Sequence, residues 1–356
     1  MHAFVAGLLL LTAAVWFLVA LGPALRELVR PTDDRPLRVS SATEDVRHFA
    51  DGLRAFVDRE VGASLDAAPA QGSSSGSFTD GVPFLLLHGD GRVAEAQAAD
   101  GRTVDRSVVA SGTLSTGPGL VFAHPLYARA DIRIGADTVV RAARAERDIE
   151  FGERATCLRF IHACGQLRAG VQATLYGRCS ADTVMSLADD VYFERLFAPR
   201  IEFGDAAAAA PPHPVPTQPF APHDDGEFLA GRWLCTRSVT VPAHCVVEGD
   251  MVVRGDVEIG DGASIRGSVK AHGNVQVGWD VVIDGALVAQ GRITTAPGCR
   301  LAGPVVSEDT AFIGTDNVIG TTAAPTTVTA PHLLLGAGTV AFGTVWAREG
   351  GLVQSR

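Results

Sequence analysis

Apolar residues between positions 241 and 319 fall in pairs two apart, and the pairs recur every eighteen residues. Val241, Ile259, Val277, Thr295 and Ile313 open successive rows, and Pro242, Gly260, Gly278, Ala296 and Gly314 follow them. Val247, Ile265, Ile283, Leu301 and Ile319 fill the seventh column, Gly249, Gly267, Gly285 and Gly303 the ninth, and Met251, Val269, Leu287 and Val305 the eleventh. Gly255, Gly273 and Gly291 fill the fifteenth, and Val257, Val275, Ile293 and Ala311 the seventeenth. Spacing of two marks a strand with one buried face. The small columns between the pairs read as corners, where glycine tolerates positive φ. Each row is one coil of a β-solenoid, three short strands and three corners, and coils must stack to bury their inward faces.

The period continues upstream. Val104, Val108, Ala110, Gly112 and Leu114 belong to a row starting at Ala98, and further rows begin at Thr116, Ile134, Phe151, Ala169, Leu187 and Phe203. The stretch 205–222, DAAAAAPPHPVPTQPFAP, breaks the pattern, because prolines deny strand hydrogen bonds. It reads as a loop bulging from one continuous solenoid, with a linker between two blocks as the alternative. After Gly320 the rows blur through Thr321–Ala330, and one further coil is expected in Leu333–Trp346, with its last strand edges uncovered. The expected fold is all-β, a solenoid of about a dozen coils, roughly 55–60 Å long at about 4.8 Å per coil.

Residues 3–22, AFVAGLLLLTAAVWFLVALG, carry no charge and would span about 30 Å as a helix. They are read as an uncleaved membrane anchor (residues 1–24) in preference to a signal peptide, since no basic n-region or A-x-A site accompanies them. Arg26, Arg30, Arg35 and Arg38 follow the span, so the positive-inside rule places the bulk of the chain in the cytoplasm. Within 25–80, residues 41–61 read as an amphipathic helix with a Ser41/Glu44 capping box and Val46, Phe49, Ala50, Leu53, Phe56 and Val57 on one face, packing on the end or side of the solenoid. Pro69–Thr79 reads as a flexible Gly/Ser-rich linker, and Val82–His88 as a strand that caps or enters the solenoid. Solenoid blocks are then expected over 81–204 and 223–350.

A net charge of −10 argues against a nucleic-acid partner. No Gly-rich loop followed by Lys and Ser or Thr points to a nucleotide. Five cysteines, Cys157, Cys179, Cys235, Cys245 and Cys299, fall in or near apolar columns and read as small hydrophobes; reduced thiols suit a cytoplasmic location. His162-x-Cys164 offers two metal ligands with no third in view, so no metal, cofactor or catalytic residue is assigned.

The run VEGDMVVRGDVEIGDGASIRGSVKAHGNVQVGWDVVIDGALVAQG (Val247–Gly291) resembles the bactofilins, a polymer-forming bacterial cytoskeletal family. The parts that carry it are the Gly249-Asp250-Met251 corner, Val257–Val269, and the Ala271 column; the match holds over roughly 228–320 and is architectural over 98–204. The resemblance implies a right-handed β-helix that polymerises end to end without nucleotide, often at membranes, and scaffolds other proteins. The extra upstream block and the proline-rich interruption depart from the family. The expected function is therefore a membrane-anchored, polymer-forming scaffold at the bacterial inner membrane. It would self-associate through its solenoid ends and serve envelope or polysaccharide-assembly proteins. One alternative is a hexapeptide-repeat acyltransferase, whose pattern appears in IGADTV, IGDGAS, VGWDVV and IGTDNV, with His124, His162, His244 and His272 as candidate bases, each expected at a solvated corner. The other is a tethered binding scaffold that does not polymerise. Outward residues such as Arg254, Glu258, Arg266, Lys270 and Gln276 fit a solvated face equally well.

Overall fold

The computed structural model describes residues 46–66, 72–98, 100–205, 218–221 and 226–356. The expected membrane span at 3–22, the capping box at Ser41, and most of the proline-rich stretch lie outside them. None of the described helices is long and apolar enough to cross a membrane.

Stacked parallel strands form a β-solenoid of about 13 turns. In the second block, three ladders step by eighteen residues: Val239–Val241 onto Val257–Ile259, Val275–Val277 and Ile293–Thr295; Val247 onto Ile265, Ile283, Leu301 and Ile319; and Met251 onto Val269, Leu287 and Val305. The first block stacks in the same way, with Ile134, Phe151, Ala169, Leu187 and Phe203 in one column. Inward side chains form one continuous apolar core through both blocks. The expected cysteines lie in it: Cys245 and Cys299 share a column with Ala263 and Val281, and all six cysteines are free.

The corners have two physical causes where the sequence suggested one. A left-handed residue recurs once per coil at Asp137, Arg154, Gln172 and Asp190, and again at His244, Gly262, Asp280, Gly298 and Asp316. Three ninth-column glycines serve a different need: Gly267, Gly285 and Gly303, unlike Gly249, have no positive φ, but a Cβ on Gly303 would stand 2.5 Å from the Gly285 carbonyl oxygen one coil below. A polar residue after a corner glycine of either column caps the next coil. Asp250 Oδ1 accepts from the Ser268 amide at 2.8 Å, and Asp256 Oδ1 from the Asn274 amide at 2.6 Å. Asn274 Oδ1 then accepts from the Arg292 amide at 2.9 Å.

The two blocks do not run on as one continuous winding. Tyr192–Phe203, the final strand of the first block, pairs antiparallel with Thr339–Gln354, the final strand of the second, from Tyr192 opposite Leu352 to Phe203 opposite Thr339. The blocks therefore meet tail to tail. Two helices wound toward each other with the same hand present antiparallel strands where they meet, so both blocks share one hand. The strand edge expected to be open after Trp346 is thus closed within the molecule. Gly350 and Gly351 leave room for the Tyr192 and Phe193 rings, and Arg195 stands over the Trp346 ring. The region where the rows blur forms two long strands, Thr326–Gly336 and Thr339–Gln354, which run through the corner positions.

At the far end of the second block, Gln218–Pro219 pairs with Cys245–Val246, and Gly226–Leu229 folds back antiparallel on Arg232–Cys235. Among the described residues Val239–Val241 bonds only to the next coil; Phe228 and Leu229 on the folded-back strand are exposed. At the far end of the first block, Gly72–Ser77 is a strand antiparallel to Pro83–His88, not a flexible linker. Its glycines and serines make room: a Cβ on Gly76 would stand 2.7 Å from the Phe84 ring. Phe78 then packs against Phe56 and Phe84.

A polar ladder beneath the helix as candidate functional site

The helix α1 (His48–Asp66) lies along one side of the first block. At 1.5 Å per residue its 19 residues reach about 28 Å, close to six coil spacings. Its lower half buries Val57, Val61 and Leu65 against the outward side chains Leu86, Val109 and Tyr127 and against Phe78. Its upper half meets polar residues. Phe49 stacks on Phe160 at 6.2 Å and carries Arg178 over its ring, Asp51 pairs with Arg144 at 2.7 Å, and Arg47 pairs with Asp182 at 2.9 Å.

Register explains which groups meet there. Tyr127, Arg144, His162 and Ser180 follow one another in one outward column, each hydrogen-bonded in register with the next coil. Two residues along each strand come Arg129, Glu146, Cys164 and Asp182. Arg144 is 2% exposed and donates to Glu146 at 2.9 Å. Tyr127 Oη donates to the same carboxylate at 3.1 Å, and the Cys164 thiol to its other oxygen at 3.5 Å. His162 Nδ1 lies 2.8 Å from Ser180 Oγ, and its Nε2 lies 3.7 Å from Cys164 Sγ.

Burial and charge tune the ladder. Burial opposes the Arg144 charge, but hydrogen bonds to Glu146 and Asp51 outweigh it and hold the guanidinium pKa above its ordinary value. Burial would raise the Glu146 carboxyl, yet its bond from Arg144 and the arginine charge bring it below the usual range. Burial, then the Glu146 charge, pushes the Cys164 thiol up to about 11. Burial and the Arg144 charge lower the His162 pKa, so the imidazole is neutral near pH 7.

His162 is thus a buried strand residue, 2% exposed, and not the solvated corner that its spacing suggested. The sequence reading also left His162 and Cys164 without a third ligand. Asp182, one coil on, brings one ligand atom of each residue within 4.8 Å of the others. Cross-coil neighbours lie eighteen residues away, outside any local ligand motif. The other histidines sit apart from this site. His244 occupies a left-handed corner, His272 meets Gln290 at 3.1 Å, and His124 Nε2 meets the exposed Asp105 at 3.2 Å. No two of these three share a site.

The fold and this covered ladder define a β-solenoid whose interior is filled with side chains and whose chemistry lies on one outer face. No protein-family model, curated protein or solved structure matches the chain.

Proposed function

We propose that the chain is a structural scaffold that associates with further copies of itself through its open coil edges, tethered to a membrane through residues 3–22. The observation that carries this reading is the Val239–Val241 edge, which among the described residues is hydrogen-bonded only to Val257–Ile259 of the next coil. Such an edge is a template for another strand. The continuous core of inward apolar side chains through both blocks suits a structural role. The resemblance of Val247–Gly291 to bactofilins points the same way, toward nucleotide-independent assembly and a right-handed winding. Because residues 192–203 and 339–354 close each other, growth on this reading uses the starting coils of the two blocks.

Negative-stain electron microscopy of residues 31–356 over a range of protein and salt concentrations tests the proposal. Filaments or sheets should form without nucleotide, and Thr240→Pro, which removes an amide from the open edge, should shorten or abolish them. Compact trimers that bind acyl-CoA would replace this reading with the acyltransferase one, and stable monomers would replace it with a tethered scaffold that does not polymerise.

A further inference from the structure

The cluster beneath α1 combines an imidazole, a thiol and a carboxylate, the donor types of borderline-soft divalent cations. We propose that His162, Cys164 and Asp182 bind one zinc-type divalent cation, with the remaining coordination position open to water. No role in the scaffold reading requires it, and the inference stands independently of that reading.

Three observations support the site. The first is distance. Zinc holds a nitrogen at about 2.0–2.1 Å and a thiolate at about 2.3 Å, so tetrahedral geometry places the two donors roughly 3.5 Å apart. His162 Nε2 and Cys164 Sγ stand 3.7 Å apart. The second is orientation. Ser180 Oγ can accept from Nδ1–H at 2.8 Å, which leaves the Nε2 lone pair facing the thiol, the arrangement expected of a metal-binding histidine. The third is charge. Arg47, Arg54 and Arg144 face Asp51, Asp58, Glu146 and Asp182, which leaves one net negative charge among these ion pairs. A divalent cation with a Cys164 thiolate neutralises that cluster.

The ligands lie in or just past the ends of adjacent strands fixed by the coil register, so little ordering is needed on binding. Asp182 already pairs with Arg47, and its two oxygens allow it to serve both. Its side chain is 31% exposed, which gives the ion a way in. Binding deprotonates the Cys164 thiol, and His162 is already neutral. One proton therefore leaves per ion, and affinity rises about tenfold per pH unit below the thiol pKa.

The test uses full-length protein in detergent, titrated with Co²⁺ under reducing conditions. The expected result is one equivalent bound, with a thiolate-to-cobalt charge-transfer band in the near ultraviolet that Zn²⁺ abolishes by displacement. Cys164→Ser should remove the band, Asp182→Asn should keep it and weaken binding about tenfold or more, and Cys299→Ser should change neither. Saturating Co²⁺ without a thiolate band in the unmodified protein overturns the proposal, whatever the variants do. A band that survives Cys164→Ser in a folded protein overturns it equally.

Discussion

Rows in the second block advance by eighteen residues from Val241 to Ile313, whereas in the first they advance by 17, 18, 18 and 16 between Ile134 and Phe203. Between Arg232 and Ile319 the second block breaks its strands into pieces of two to four residues at glycine corners, as at Gly267 and Gly285. The first lets Thr156–Ala163 and Thr174–Ala181 run eight residues through the equivalent corner. Their inward columns are nevertheless alike, because stacking imposes the same fit on every coil. The outward columns differ. Leu234, Val252, Lys270, Val288 and Val306 form a row with no helix of the described residues packed on it, while Val109, Tyr127, Arg144, His162 and Ser180 lie under α1. Periodicity is strict where a coil answers only to its neighbours, and it relaxes where a coil must also fit a separate element.

The largest effect should come from Ile283→Asp. It places a charge with no partner in the stacked core, at a cost of at least about 4–5 kcal/mol. Circular dichroism should show loss of the cooperative thermal transition of the second block; a retained transition would refute the register. Arg144→Met should cost about 3 kcal/mol, since it takes the buried guanidinium from Glu146, leaving that carboxylate only Tyr127, Cys164 and Arg54, and releases Asp51. Part of this is screened because Asp51 is more than half exposed. Limited proteolysis within His48–Asp66 should speed up while hydrogen exchange in the second block stays unchanged. Gly351→Val should cost about 1–3 kcal/mol by driving a side chain into the Phe193 ring. Its signature is faster exchange confined to 192–203 and 339–354. Asn274→Ala should cost about 1 kcal/mol by removing the acceptor for the Arg292 amide, with exchange accelerated at that amide.

The second block could be read from sequence because each inward position repeats its own chemistry. Val247, Ile265, Ile283 and Leu301 point inward by spacing alone, and all four are buried. The row starts from Thr116 to Phe203 were legible for the same reason. What escaped was non-local. The pairing of Tyr192 with Leu352 joins residues far apart in sequence, and no period announces an antiparallel meeting of two parallel stacks. The meeting of Asp182 with His162 and Cys164 needs both the coil register and the choice of which face α1 covers. The strand at Gly72–Ser77 was missed because its composition signals flexibility, while the Phe84 ring it must clear lies on its partner.

The antiparallel meeting of the blocks also sets an order of events during synthesis. Tyr192–Phe203 leaves the ribosome well over a hundred residues before its partner Thr339–Gln354. At about 5–20 residues per second, that strand waits several seconds with one side bare. Meanwhile the second block must wind back toward it from its far end. The closing of the waist joins residues far apart in sequence, the kind of pairing that is slow to form. In that interval the first block presents the kind of unpaired edge that captures a neighbouring nascent chain.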